Sequence, residues 1–439
     1  MHTIAAWISR HRANLITAVL LAAAYLASYL PVLRDSPQYA PDTRYYLAMA
    51  LRYTGLSKQE AHDIVLEHSA RSGWEGPPVE SLFGWGLVQP RVVYPALSAP
   101  FVKLWGPDGM LVVPALALFA FVVLAVWAMR ARYRSVLVLV PALLIIASPK
   151  LMFYGTAMLT ESLTALWCAL ILFAVWRYQA TSGRVWLIAA GLCTVGMAFT
   201  RQAALIPAGA LVVAWLAALV LRDRPRRWFL PMVVVAGTAV VVQVVQTLVW
   251  PTFSQLTQFL HATGADNLQG AIRKTPALAL KILRRDFEYY MVADHALLLL
   301  VVLSMIAGVV LWRRAESHLL LGAFLAISFL NITNGTPTAF RYAMPGLVFF
   351  VLAIAALLER ATPDGFGSIP GPDAWRASSS DVSPLLAEHP RAHDHVVEGS
   401  DDDHRGELRD VSLDVDGDES SDQTRRERQV GADEYHVTP

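Results

Sequence analysis

Runs of apolar residues set the tightest constraint on this chain. Several approach or exceed the ~18–20 residues that cross a ~30 Å hydrocarbon core as a helix. About ten such spans can be placed, near 14–33, 110–129, 135–149, 158–176, 185–200, 203–221, 229–250, 294–312, 318–332 and 341–358. The 439 residues are 55% hydrophobic and only 16% charged, far from the balance of a soluble domain. The expected fold class is an all-α polytopic membrane protein of about ten transmembrane helices. The first span is long and lacks a small-residue cleavage site, so it is expected to remain as an anchor.

Charge assigns the two sides. Arg10 and Arg12 precede the first span. In a ten-span count the basic connectors Arg130–Arg134, Arg177 with Arg184, Arg222–Arg227 and Arg313–Arg314 all fall on that same side. Lys and Arg concentrate on cytoplasmic connectors, so the N-terminus is expected there. Two long connectors, 34–103 and 250–294, are then extracytoplasmic. From Glu359 to Pro439 the chain carries 20 acidic and 8 basic residues, and the rest carries 28 basic against 15 acidic. We therefore expect a membrane domain over 1–360 and an acidic tail over 361–439. The tail should be cytoplasmic and disordered, because it is too polar to offset chain entropy. Asp414–Asp418 resembles a calcium loop, but Glu419 and Arg425 occupy its sixth and twelfth positions, where Gly and Glu belong. Basic charge between spans is not a nucleic-acid signature, and membrane lipids are the expected surroundings. Cys168 and Cys193 both lie in apolar stretches and read as small buried hydrophobes.

The first outer connector has internal order. Asp42-Thr43 can cap a helix over Tyr45–Tyr53. Ser57 and Glu60 have capping-box spacing for a second helix that ends at Arg71. Gly73–Gln89 reads as irregular, and Pro90–Trp105 as a short apolar helix. Asp42 is open to two readings. It is a cap favoured by the helix dipole, or it is a general base or metal-holding carboxylate facing a substrate at the membrane surface. Asp35 is its weaker rival. Glu161 sits in the first turn of a span, where it either balances the dipole or faces a cavity. Arg201 and Arg341 lie at the outer edge, against the usual charge bias. They either snorkel to headgroups or grip a phosphate with a planar, permanently charged fork. Lys150 is a further cation on that side. Arg44, Tyr45 and Tyr342, adjoining these groups, complete the candidate binding set.

Five fragments in this order resemble the GT-C class of integral-membrane glycosyltransferases: PDTRYYLAMA, QPRVVYPALSAP, AMLTESLTALW, GMAFTRQAALIP and FRYAMPGLVFFVLA. The resemblance spans residues 5–360 and does not include the tail. It implies an enzyme that moves a sugar, with inversion, from a polyprenyl-phosphate donor to a glycan, lipid or protein acceptor on the extracytoplasmic face. Asp42 would be the general base, Arg201 and Arg341 the phosphate ligands, and Glu161 would orient the acceptor or a divalent cation. Where many members pair two acids in the first loop, this chain has Asp42-Thr43, with Asp35 seven residues earlier. The bacterial plasma membrane is the expected location. The competing class is a transporter, flippase or polymerase-like protein of lipid-linked saccharides. Such a protein is expected to show internal repeats, or charges and helix breaks near mid-bilayer; no repeat is visible.

Overall fold

The computed structural model describes residues 2–36, 38–133, 135–251, 254–335 and 340–362, with side chains from Ile16 onward. They belong to one compact unit, Met1–Asp381. From residue 363 onward the expected acidic tail, including Asp414–Asp418, lies outside the described residues, as do the side chains of Arg10, Arg12 and Arg134.

Among the described residues there is no strand. The chain runs α1 (His2–Asp35), α2 (Thr43–Tyr53), α3 (Lys58–Arg71), α4 (Val79–Gly84), α5 (Val93–Trp105), α6 (Val112–Arg132), α7 (Val140–Ala147) and α8 (Pro149–Thr156). It continues through α9 (Glu161–Thr181), α10 (Arg184–Thr200), α11 (Leu205–Val220), α12 (Arg226–Val249), α13 (Gln255–Thr263), α14 (Leu268–Ala293), α15 (His295–Val310), α16 (Ala315–Asn334) and α17 (Leu347–Ala361). Six stretches are long and apolar enough to cross a membrane: Ile16–Asp35, Pro107–Arg132, Glu161–Thr181, Arg226–Val249, Ala315–Asn334 and Met344–Ala361. A seventh arises if Val136–Ala147 and Pro149–Thr156, bent by 70°, count as one broken span. Three shorter apolar helices, α10, α11 and α15, fall at the remaining expected positions. The chain is a multi-pass membrane protein whose described residues form helices and their connectors only.

α17 is the central post. Every residue from Leu347 to Ala356 is buried, as suits a helix that is apolar all round. α6, α7, α9, α15 and α16 pack around it, and α10, α11 and α12 extend the bundle. Lipid gives helices no hydrophobic reason to associate, so close packing of small residues matters. α11 and α16 cross where Gly209 meets Gly322. A Cβ on Gly322 would lie 2.3 Å from the Gly209 carbonyl oxygen.

The expected span 135–149 does not end at Pro149: it turns a corner there and continues as α8. Pro149 cannot continue the ladder of α7, and the Ser148 hydroxyl starts α8 by accepting from Leu151 N at 3.1 Å. Buried Asp294 closes the corner. It accepts from Ser148 Oγ at 2.6 Å, Lys150 N at 3.0 Å and Leu297 N at 2.9 Å. One carboxylate therefore caps α8 and α15 together.

In the first connector both halves of the capping box form: Glu60 N donates to Ser57 Oγ, and Ser57 N to Glu60 Oε2. The stretch expected to be irregular contains α4, which starts behind Pro78 with Glu80 in its first turn. At the far end of the bundle, Arg132 and Tyr133 both donate to Glu316 Oε1, at 2.8 and 3.2 Å. Arg130 donates to Thr17 Oγ1 at 3.0 Å. α16 and α17 run from or to this end, so the groups at their opposite tips are a full helix length away.

The glycine contact makes a paired prediction. Gly322→Ala should destabilise by about 1–3 kcal/mol, because backbone must move to admit the methyl. Gly237→Ala in α12 meets nothing within 4 Å, so it should be neutral or stabilising by up to about 1 kcal/mol. Thermal unfolding of both variants in one detergent checks this.

Candidate functional site

Thr43 fastens the first connector to the start of α9. Its hydroxyl donates to Met158 O at 3.1 Å and accepts from Ala40 N at 3.0 Å, while Met158 N donates to Gln38 O at 3.1 Å. These bonds satisfy irregular backbone beside the bundle and bring Asp42 next to Glu161.

The two carboxylates then share one guanidinium. Arg341 Nη2 donates to Asp42 Oδ2 at 2.5 Å, and Arg341 Nε donates to Glu161 Oε1. Arg201 Nη1 reaches the same Glu161 oxygen at 2.6 Å. The Glu161 side chain is fully buried and that of Arg201 is 5% exposed. Asp42 does occupy the N-cap position of α2, but its backbone is already helical and its side chain makes no cap bond. The capping reading is therefore not what the carboxylate does. Arg341 follows Phe340, a bulky residue at φ 74°, in a region that side chains rarely adopt and that costs roughly 1–3 kcal/mol. Packing of the Phe340 ring against Phe350, 5.3 Å between centroids, holds it there. That strained backbone aims Arg341 at both acids.

Arg201 also lies over the Tyr342 ring, 4.6 Å from its centroid. A third arginine, Arg91, joins from the segment before α5. It is buried and donates to Tyr46 OH at 2.7 Å and to Gln202 Oε1 at 3.0 Å, both neutral. Sequence reading assigned it no role. Its only local signal is its place in PRVVYP, a cation ahead of an apolar helix. Arg91, Arg201, Gln202, Tyr342, Gln255 and Gln258 border a cavity of about 20 Å³, room for a water-sized group.

Three guanidiniums against two carboxylates leave this cluster net positive. Burial alone would raise the Asp42 carboxyl, but Arg341, then Arg91 and Arg201, outweigh it and hold it below its ordinary value. Burial opposes charge on Arg341 too, yet Glu161 and Asp42 keep it protonated far above its usual range. The chemical repertoire is a carboxylate ionised at neutral pH beside cations able to receive a phosphate.

Three candidates lie apart from this cluster. Arg44 is buried and donates to Glu75 O at 2.8 Å, bracing the loop between α3 and α4. Tyr45 packs on Trp85, 4.4 Å between centroids, and lines a separate aromatic cavity of about 290 Å³ with Phe83 and Trp250. Lys150 Nζ sits among the rings of Tyr289, Tyr154 and Phe153, at 4.8, 5.0 and 5.6 Å. Tyr154 connects it to the site, with its ring centroid 6.0 Å from Arg341 Cζ. Asp35 makes an exposed contact with Arg34 at 3.9 Å. Among the described residues no group of three or more His, Cys, Asp or Glu side chains could hold a metal ion. Asp42 and Glu161 are bridged by an arginine instead, a poor match to the oxygen-rich shells of divalent cations.

No family model matches this chain, and no curated protein matches it in sequence.

Two outcomes follow from the buried charges. Glu161→Gln leaves buried Arg201 without its carboxylate and Arg341 with Asp42 alone, and should destabilise by about 3–5 kcal/mol; denaturation in detergent measures it. A carboxyl whose pKa is lowered on folding adds stability above its unfolded value near 3.9, and that stability is lost as pH falls through the folded value. The difference in unfolding midpoint between wild type and Asp42→Asn should thus stay constant from about pH 8 to 5. It should shrink only below about pH 4, as thermal melts across pH will show.

Proposed function

We propose that this chain is a membrane glycosyltransferase of the GT-C class, taking a polyprenyl-phosphate sugar as donor. The observation that carries this reading is the cluster of Asp42, Glu161, Arg91, Arg201 and Arg341 at one end of an apolar bundle. Segments far apart in sequence contribute to it, and it holds more positive than negative charge. A lipid phosphate is the substrate that fits such a place: its chain is soluble in the bilayer, and its headgroup matches a guanidinium fork.

In the proposed reaction the phosphate engages Arg341 and Arg201, competing with the carboxylates for the same guanidiniums. Asp42, relieved of part of its ion pair, faces the acceptor hydroxyl. The acceptor oxygen attacks the anomeric carbon as its proton passes to the Asp42 carboxylate. The bond from that carbon to the phosphate oxygen breaks, and the lipid phosphate leaves with the electron pair. The arginines stabilise the developing charge, and the configuration at carbon inverts. Glu161 fixes Arg201 and Arg341 in position. In this reading all ten apolar segments cross the plasma membrane of a bacterium, and the basic connectors face the cytoplasm. The site is then extracytoplasmic, and the acceptor is a glycan, a lipid or a protein.

One observation favours a second reading, translocation of a lipid-linked saccharide: the span broken at Ser148-Pro149, a feature common at transporter sites. The two differ in bond cleavage. Purified wild type with labelled polyprenyl-phosphate sugars and a membrane extract as acceptor should release lipid phosphate. A flippase would move intact donor across vesicles and release none. Asp42→Asn should lower turnover by about 10²–10⁴-fold with donor binding retained, and Arg341→Ala should weaken donor binding. Unchanged turnover in Asp42→Asn removes that residue from the mechanism.

A further inference from the structure

α14 carries a surface that the site chemistry does not use. Ile272, Pro276, Leu280, Leu283, Phe287 and Met291 recur at intervals of three and four, so they form one stripe along the helix. The five large side chains among them are 49–67% exposed. A second face, Ala271, Ile282, Asp286 and Tyr290, is buried, where the helix meets α13, α15 and α16. The third face holds Arg273, Lys274, Lys281, Arg284 and Arg285, all exposed. Arg284 pairs with Glu288 at 2.7 Å, Lys274 donates to the Gly264 carbonyl, and the basic face still outnumbers its acid.

A helix with an apolar stripe beside a basic face is built for the boundary between acyl chains and headgroups. Its position suits that boundary. Only Asp294 separates it from α15, an apolar helix of the bundle. Its last turn also stands beside the site, through the chain of Tyr289, Lys150, Tyr154 and Arg341. We infer that α14 lies in the plane of the bilayer surface, with its apolar stripe in the acyl boundary and its basic face on the headgroups of anionic phospholipid. The helix thereby sets the level of the site at the depth of lipid phosphates. The contact stands whether or not the site transfers a sugar.

Nitroxide labels test it. Leu283→Cys, Phe287→Cys, Lys281→Cys and Arg285→Cys are each labelled in full-length protein in nanodiscs containing phosphatidylglycerol. Wild type is labelled in parallel to subtract Cys168 and Cys193. Collision with oxygen, which concentrates in hydrocarbon, relative to a water-soluble nickel chelate should be several-fold higher at 283 and 287 than at 281 and 285. Replacing phosphatidylglycerol with neutral phosphatidylcholine should lower the ratio at 283 and 287. Equal access of the nickel chelate at all four positions overturns the inference. So does shielding of 283 and 287 from both reagents, which would mean a protein partner or second copy on the stripe, and so does a ratio indifferent to anionic lipid.

Discussion

Burying Arg201 and Glu161 in an apolar bundle is expensive unless each meets an opposite charge, and half-buried Arg341 and Asp42 share that requirement in part. Arg341 ties the two acids together by donating to Asp42, 299 residues away, and to Glu161, 180 residues away, while Arg201 meets Glu161 from the other side. The first connector, the N-terminus of α9, the end of α10 and the approach to α17 are held in one arrangement by that mutual requirement. None of these segments could shift alone without leaving a charge unpaired in a medium that penalises it severely. The left-handed backbone at Phe340 belongs to the same constraint: a costly conformation persists because the packed ring and the ion pairs over-determine it.

The surroundings of the cluster are built from similar ties. Asp294 caps two helices at the corner between α7 and α8, meeting backbone N–H groups that the first turns of α8 and α15 leave without helical partners. Lys150, beside that corner, lies over the rings of Tyr289, Tyr154 and Phe153, while its backbone N–H donates to Asp294. The aromatic cavity at Tyr45 and Trp85 is separate from the charged cluster and is lined mainly by apolar and aromatic side chains.

Much of the fold was legible along the chain because the bilayer makes strong demands. Each expected span contains an apolar helix, and the capping box at Ser57 and Glu60 forms as its spacing required. The count was less secure. α10, α11 and α15 are 16 or 17 residues long, about 24–26 Å at 1.5 Å per residue, so hydropathy finds them but length does not certify them as spans. Hydropathy is also blind to direction, which is why the turn at Pro149 read as the end of a span rather than a corner inside one. α4, α13 and α14 lack the uniform apolar character that made the other helices conspicuous.

What the sequence by itself determined was local: where the chain is apolar enough to become a buried helix, which residues can start one, and which edges carry unusual charge. Asp42, Glu161, Arg201 and Arg341 were visible on that last ground. Only the tertiary structure decided how those charges are used. It made Asp42 an ion-pair partner instead of a cap, diverted Arg44 to a loop carbonyl, set Lys150 among rings, and brought in Arg91, whose place in PRVVYP gave it no role. Periodicity and caps depend on neighbours within a turn or two. Ion pairing across 180 or 299 residues depends on how helices pack, and packing is a property of the whole bundle.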